Sequence, residues 1–167
     1  MQKNIKIMLS DKYRQLYNSL SSVFSSDRLV YDDLRTLAFG TDASFYRLIP
    51  KLVVKVKNES EVVHLLKECK SLNIPITFRS SGTSLSGQAI TDSVLVKVDN
   101  SWKNYKVNKD GSQITLAPAV LGKFANLYLS AFNKKMGPDP ASINAARISG
   151  IVANNASGMT SGTIHNS

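Results

Sequence analysis

The strongest constraint on the fold is a strand–helix–strand pattern between Leu52 and Val98. Leu52-Val53-Val54-Lys55-Val56 is short and β-branched, and Val94-Leu95-Val96-Lys97-Val98 repeats its form. Such runs pack well on a pleated, buried surface, so each predicts a strand. Between them, Val62, Leu65, Leu66 and Cys69 recur at three- and four-residue steps, which predicts a helix with all four on its apolar face. Asn58 stands three residues before Glu61, an arrangement related to the capping box, and predicts where that helix starts. Asn73 and Pro75 predict its end, and Ile76-Thr77-Phe78 follows as another strand. A strand that leaves through a helix and returns as a strand predicts a parallel sheet with a right-handed crossover.

The flanking sequence predicts further elements. Tyr13, Leu16, Tyr17, Leu20 and Phe24 form an apolar stripe, predicting a helix over residues 10–24. Asp32 to Phe39 reads as a short helix, with Gly40 placed as its stop. Thr41 to Arg47 reads as loop. Beyond the α/β unit, 105–107 and 114–116 flank Asn108-Lys109-Asp110-Gly111, a hairpin signal. Leu121, Phe124, Ala125, Tyr128 and Phe132 predict a second amphipathic helix. After Lys135 the chain reads as loop, and the Gly-, Ser- and Asn-rich stretch from Gly150 onward does too.

Composition excludes several classes. The 167 residues are 43% hydrophobic and 20% charged, an ordinary globular mix. No apolar run approaches the roughly 20 residues that span a bilayer. The single Cys forms no internal disulfide, which makes a reduced cytoplasmic setting the default expectation, with peripheral docking at the inner membrane face left open. Met1 to Ser10 has no continuous apolar core, so no signal peptide is expected. The net charge is +9, compatible with a phosphate-bearing ligand or with nucleic acid. The basic residues are scattered rather than clustered, which argues against a nucleic-acid face.

Two segments have the residue types to hold a ligand. Arg79-Ser80-Ser81-Gly82-Thr83-Ser84-Leu85-Ser86-Gly87-Gln88 directly follows a predicted strand. Glycines and small hydroxyl residues let backbone N–H groups approach an anion, and Arg79 is a candidate counter-charge. That combination suits a pyrophosphate; the plainer reading is a polar turn. Gly82 and Gly87 have the spacing of a P-loop, but Gln88 and Ala89 stand where it needs Lys and Ser/Thr. No GxGxxG fingerprint opens a helix here. The second segment is Gly137-Pro138-Asp139-Pro140-Ala141-Ser142, followed by Ile148 to Met159. Rigid prolines beside Asp139 and Ser142, then Asn154, Asn155 and Ser157, offer a fixed loop with donors and acceptors.

Other features are weaker. Cys69 reads as a core thiol, and His64 and His165 are too far apart in sequence for an HxxxH-type metal pair. No Gly-x-Ser-x-Gly elbow is present.

With these two segments quoted, a resemblance emerges. Ile76–Ile90 (ITFRSSGTSLSGQAI) resembles the pyrophosphate-binding loop of the flavoproteins related to p-cresol methylhydroxylase and vanillyl-alcohol oxidase. Gly137–Met159 (GPDPASINAARISGIVANNASGM) resembles their second flavin-binding stretch. LRTLAFGTDASFYRLIPKLVVKV is similar to the entry of this domain in the D-lactate and D-2-hydroxyacid dehydrogenase branch.

The resemblance implies a two-lobed α+β FAD-binding (PCMH-type) domain over residues 47–167. Its first lobe would be a small parallel β-α-β unit and its second lobe incomplete, with residues 1–46 as an N-terminal helical segment. FAD would lie between the lobes. Its pyrophosphate would be held around Arg79, Ser80, Ser81, Gly82, Thr83 and Ser84, with Pro138, Asp139 and Ser142 near the flavin end. Gly150, Asn154, Ser157 and Gly158 would line the second half. The implied reaction oxidises a D-2-hydroxyacid such as D-lactate to the 2-oxoacid, with electrons passed to an acceptor; the alternative is a flavin- or nucleotide-binding module without turnover. Serines at 80, 81 and 149 replace glycines expected by resemblance, so these positions should avoid positive φ. Thr83 stands where some relatives attach FAD through a His, which implies non-covalent FAD. Catalytic residues, the substrate-binding part and any iron–sulfur cluster ligands would lie beyond Ser167, so the chain is expected to be an N-terminal fragment with little activity of its own.

Overall fold

A computed structural model describes residues 9–162 and 164–165. Among the expectations above, the leader reading of residues 1–10 falls almost wholly outside them. The chain divides into two compact units, Met1–Asp99 and Asn100–Ser167.

The first unit is built on four strands: β1 (Leu29–Val30), β2 (Leu52–Val56), β3 (Ile76–Arg79) and β4 (Val94–Val98), in the order β1-β2-β4-β3. The parallel expectation holds, because β4 runs parallel to both β2 and β3. The strand β3 that follows the helix over Glu59–Ser71 does not pair with β2, however; β4 slots between them. Burial explains the preference. Four of the five residues of β2 and four of β4 are buried, so both belong in the sheet interior, while β3 is only partly covered and takes an edge. Val53 and Leu95 pack with Val30 in one fully buried cluster, and Phe39 lies against it. Lys55 and Lys97 are register partners. Each ammonium finds a carbonyl: Lys55 Nζ donates to Asp27 O at 3.3 Å, and Lys97 Nζ to Ser80 O.

Three helices complete this unit: α1 (Asp11–Leu20), α2 (Asp33–Ala38) and α3 (Glu59–Ser71). Helix α1 ends at Leu20, short of the residue 24 read from the stripe, yet Phe24 is still buried. Asp32 caps α2 through the Arg35 N–H. Gly40 is not among the residues with positive φ, so it does not stop α2 by left-handed geometry. In α3 the Asn58 side chain accepts from Glu61 N at 2.9 Å, while the Glu61 carboxylate accepts from Lys57 N at 2.7 Å. The Asn58 cap is the one read from the sequence, while Glu61 reaches one residue further back than a capping box does, to Lys57 N. The predicted apolar face is narrower than expected: Leu65 and Cys69 are buried, Val62 is half-buried, and Leu66 is 42% exposed.

The second unit opens with the predicted hairpin, β5 (Tyr105–Val107) antiparallel to β6 (Ile114–Leu116). Gly111 turns it at φ +65°, and Phe132 packs so closely that a Cβ there would lie 2.3 Å from its ring. Phe132 is therefore a lid on the turn, outside the second amphipathic helix, α4 (Gly122–Ser130). The stretch before residue 148 is stitched to the start of α4, with Gly122 N donating to Ala146 O at 3.0 Å and Ile148 N to Val120 O at 2.9 Å. A short helix, α5 (Ile148–Ala153), then occupies sequence that reads as polar loop from Gly150 onward. The buried Ile151 anchors it, which outweighs the poor helix propensity of its Gly150.

Candidate functional site

The loop after β3 has two glycines with positive φ, Gly82 at +80° and Gly87 at +72°. Ser80, Ser81 and Ser149 do not have positive φ, so the serine-for-glycine exchanges carry no strain of that kind. Ser84 is turned into the loop: its hydroxyl donates to Gln88 Oε1 at 2.9 Å and accepts from the N–H groups of Ser86 and Gln88. No hydrogen bond among the described residues uses the N–H of Gly82, Thr83, Ser84 or Leu85. Gly82, Thr83 and Ser84 are half-buried and Leu85 is exposed, and four successive amides of this kind are a candidate backbone cradle for an anion. That donor set fits the pyrophosphate of a dinucleotide.

Arg79 sits beneath this cradle. Its Nη1 donates to Thr41 O at 2.6 Å and Phe39 O at 3.2 Å, and its guanidinium is so close to Gly82 that a Cβ there would lie 2.6 Å from Nη2. Burial pulls its pKa below the ordinary value, with Asp42 acting in the opposite direction. Asp42, in the 41–47 segment that reads as loop, accepts from Ser44 N at 2.8 Å and Ala89 N at 3.3 Å. Burial alone would raise its pKa; the bonds to Ser44 and Ala89 and the charge of Arg79 outweigh that and hold it below the ordinary value. Lys97 adds a third support through Ser80 O.

In the second unit, Asp139, Ser161 and Gly158 come together. Asp139 Oδ1 accepts from Ser161 N at 3.1 Å, and Gly158 N donates to Ser161 Oγ at 2.9 Å. A Cβ on Gly158 would meet Asp139 O at 2.1 Å, so only glycine permits this approach. The Thr160 and Ser161 donors, and the charge of Lys135, keep the Asp139 carboxyl below its ordinary value. Asn154 is turned back on its own helix, its Nδ2 donating to Gly150 O at 3.0 Å. Ser142 offers its carbonyl to the Ala145 and Ala146 amides, Pro138 is half-buried, and Ser157 is exposed. Sequence reading missed Ser161, buried at 4% exposure; its only signal is that it follows Gly158 at a three-residue step.

Sequence reading also missed a cavity of about 790 Å³ in this unit, lined by Asn100, Lys103, Tyr105, Phe124, Tyr128 and Arg147 among others. The Tyr105 and Tyr128 rings stack in it at 3.6 Å. Among the described residues, no cluster of His, Cys, Asp and Glu could hold a metal ion, and no helix is long and apolar enough to cross a membrane.

A small parallel sheet whose edge strand runs into a loop with two positive-φ glycines is an α/β unit with a candidate anion loop. Comparison with known proteins narrows this: the family described as FAD binding domain matches residues 50–166, and the chain belongs to that family. The chain is 31% identical over 134 residues to glycolate oxidase subunit GlcD of Escherichia coli (strain K12), covering 78% of this chain and 27% of that protein. It is 32% identical over 114 residues to mitochondrial D-lactate dehydrogenase [cytochrome] 1 of Saccharomyces cerevisiae, covering 65% and 19%. D-2-hydroxyglutarate dehydrogenase of Escherichia coli (strain K12) matches at 26% over 129 residues, covering 75% and 13%. The chain thus spans about a quarter or less of the length of these relatives.

Among solved structures, an alkyldihydroxyacetonephosphate synthase superposes with a TM-score of 0.77 at 19% identity, over 97% of this chain and 34% of that one. A p-cresol methylhydroxylase does so at 0.75 and 14% identity, over 89% and 30%. These establish the α+β fold of the PCMH-type FAD-binding domain, as the resemblance implied.

Proposed function

We propose that residues 47–167 carry the FAD-binding portion of a flavin-dependent dehydrogenase that oxidises a D-2-hydroxyacid, such as D-lactate, to the 2-oxoacid. Ahead of it, residues 9–46 supply helices α1 and α2 and strand β1 of the four-stranded sheet. The observation that carries this reading is the open cradle of amides at Gly82 to Leu85, in a chain of the FAD binding domain family whose relatives are named for glycolate, D-lactate and D-2-hydroxyglutarate.

The chain's own part is to bind and orient. The 82–85 amides hold the pyrophosphate, whose charge is met by N–H dipoles rather than by hydration. Arg79, Ser80 and Ser81 shape the base of that loop. In the second unit, Pro138, Asp139 and Ser142, with Asp139 against Gly158, and Gly150, Asn154 and Ser157 are the residues offered for the flavin-binding stretch. FAD, when bound, supplies the two-electron oxidation. Thr83 offers no imidazole at that position, which supports non-covalent binding of the cofactor. Electrons would pass from it to an acceptor.

The test is turnover by the full-length protein with a dye acceptor, offering D-lactate, D-2-hydroxyglutarate, glycolate and L-lactate. The reading expects reduction of the dye with a D-2-hydroxyacid and far less with L-lactate. Flavin bound without turnover of any 2-hydroxyacid overturns it in favour of a binding module.

A further inference from the structure

Three connections wire the 39–44 segment to both ends of the amide cradle. Arg79 Nη1 reaches back to the carbonyls of Phe39 and Thr41, and at 3.5 Å to Ala89 O. Ala43 N donates to Gly82 O at 3.1 Å. The Asp42 carboxylate accepts Ser44 N on its own segment and Ala89 N just beyond the loop. The segment is itself closed on its own backbone, since Leu48 N donates to Gly40 O at 3.0 Å and Thr41 bridges Arg47.

This arrangement conflicts with treating Arg79 as a counter-charge to the ligand. Its Nη1 is engaged with carbonyls, and the Asp42 carboxylate is close enough to act on its charge. A carboxylate beside an anion site is also unfavourable on charge alone. Both groups make sense if their work is geometric: one holds the start of the loop, the other its end.

We propose that Asp42 and Arg79 are positioning residues for the pyrophosphate cradle, fixing the 82–85 amides rather than supplying charge to the ligand. The proposal rests on the FAD reading above.

Charge and geometry predict opposite outcomes for two substitutions. Arg79→Lys keeps the positive charge but loses the planar fork that meets several carbonyls at once. Asp42→Asn removes a negative charge near the anion but replaces one of two acceptors with a donor facing an N–H. The experiment measures dissociation constants of FAD, ADP and riboflavin for the full-length apoprotein and both variants. Riboflavin lacks the pyrophosphate and serves as the internal control.

The proposal expects both variants to bind FAD and ADP about tenfold more weakly, equivalent to losing one good hydrogen bond, with riboflavin unchanged. Retained ADP affinity in Arg79→Lys, or tighter ADP binding in Asp42→Asn, overturns it in favour of charge. Equal weakening of all three ligands overturns it in favour of a general structural role. If Arg79→Lys does not fold, the sign of the Asp42→Asn effect decides alone. A wild-type protein that binds neither FAD nor ADP rejects the FAD reading itself, an outcome separate from the variant results.

Discussion

Replacing Gly82 by alanine tests the loop geometry at its tightest point. Gly82 has φ +80°, and a Cβ placed there would lie 2.6–2.8 Å from three guanidinium atoms of Arg79. Two effects add. Forcing alanine into a left-handed conformation costs about 1–2 kcal/mol. Displacing the guanidinium weakens its bonds to Thr41 O and Phe39 O, and hydrogen bonds from charged groups contribute about 1.5–3 kcal/mol, nearer the low end for a half-buried Arg. The expected loss is therefore about 2–4 kcal/mol, read by urea denaturation followed by circular dichroism. The two parts separate in a double-mutant cycle. In an Arg79→Ala background the same Gly82→Ala change should cost only the conformational part, about 1–2 kcal/mol. A loss below about 0.5 kcal/mol in the wild-type background refutes the strain argument, being the range of a neutral surface change. An identical loss in both backgrounds refutes the claim that the guanidinium fills the space beside Gly82.

Three further outcomes follow from buried groups in the first unit. Arg28, 6% exposed, pairs with Glu61 and also donates to Lys55 O, so Glu61→Gln should destabilise the fold by about 3 kcal/mol, the range for breaking a buried pair. Burial alone would raise the Glu61 pKa, but the Arg28 and Lys57 bonds outweigh it and hold it low. The pair therefore stabilises fully above the ordinary carboxylate range and loses its effect as pH falls through the depressed folded value. The wild type should lose more stability than Glu61→Gln between neutral and strongly acidic pH in parallel urea titrations; equal losses contradict the pairing. Burial, with a smaller push from Glu68, raises the Cys69 thiol to about 11. At pH 8 it should resist a thiol reagent while folded and react at once in denaturant, and rapid reaction of the folded protein would contradict its core placement.

The parts of the fold legible in the sequence are those with local causes. The β-branched runs of β2 and β4, the Asn58–Glu61 start of α3 and the Asn108–Gly111 turn each state their geometry within a few residues. The parts that were not legible depend on distant partners. Strand β1 is two residues long and exists because Leu29 and Val30 find Val54 and Val53. The place of β4 between β2 and β3 follows from burial, which no local pattern encodes. Helix α5 is hidden by Gly150 and its polar surroundings and depends on Ile151 being buried. The glycines and hydroxyl residues of the candidate site could be read as ligand-facing. Their supports could not: Asp42 acts on Ala89 across 47 positions and Ser161 on Asp139 across 22.

We propose above that FAD is held without a covalent bond. The most direct measurement is the absorbance spectrum of the purified full-length protein, followed by acid precipitation and identification of whatever flavin stays in solution. The native protein should show a flavin spectrum, and intact FAD should appear in the supernatant. Flavin that remains with the precipitate contradicts non-covalent binding, and a colourless protein that gains no flavin spectrum when incubated with FAD contradicts the assignment itself.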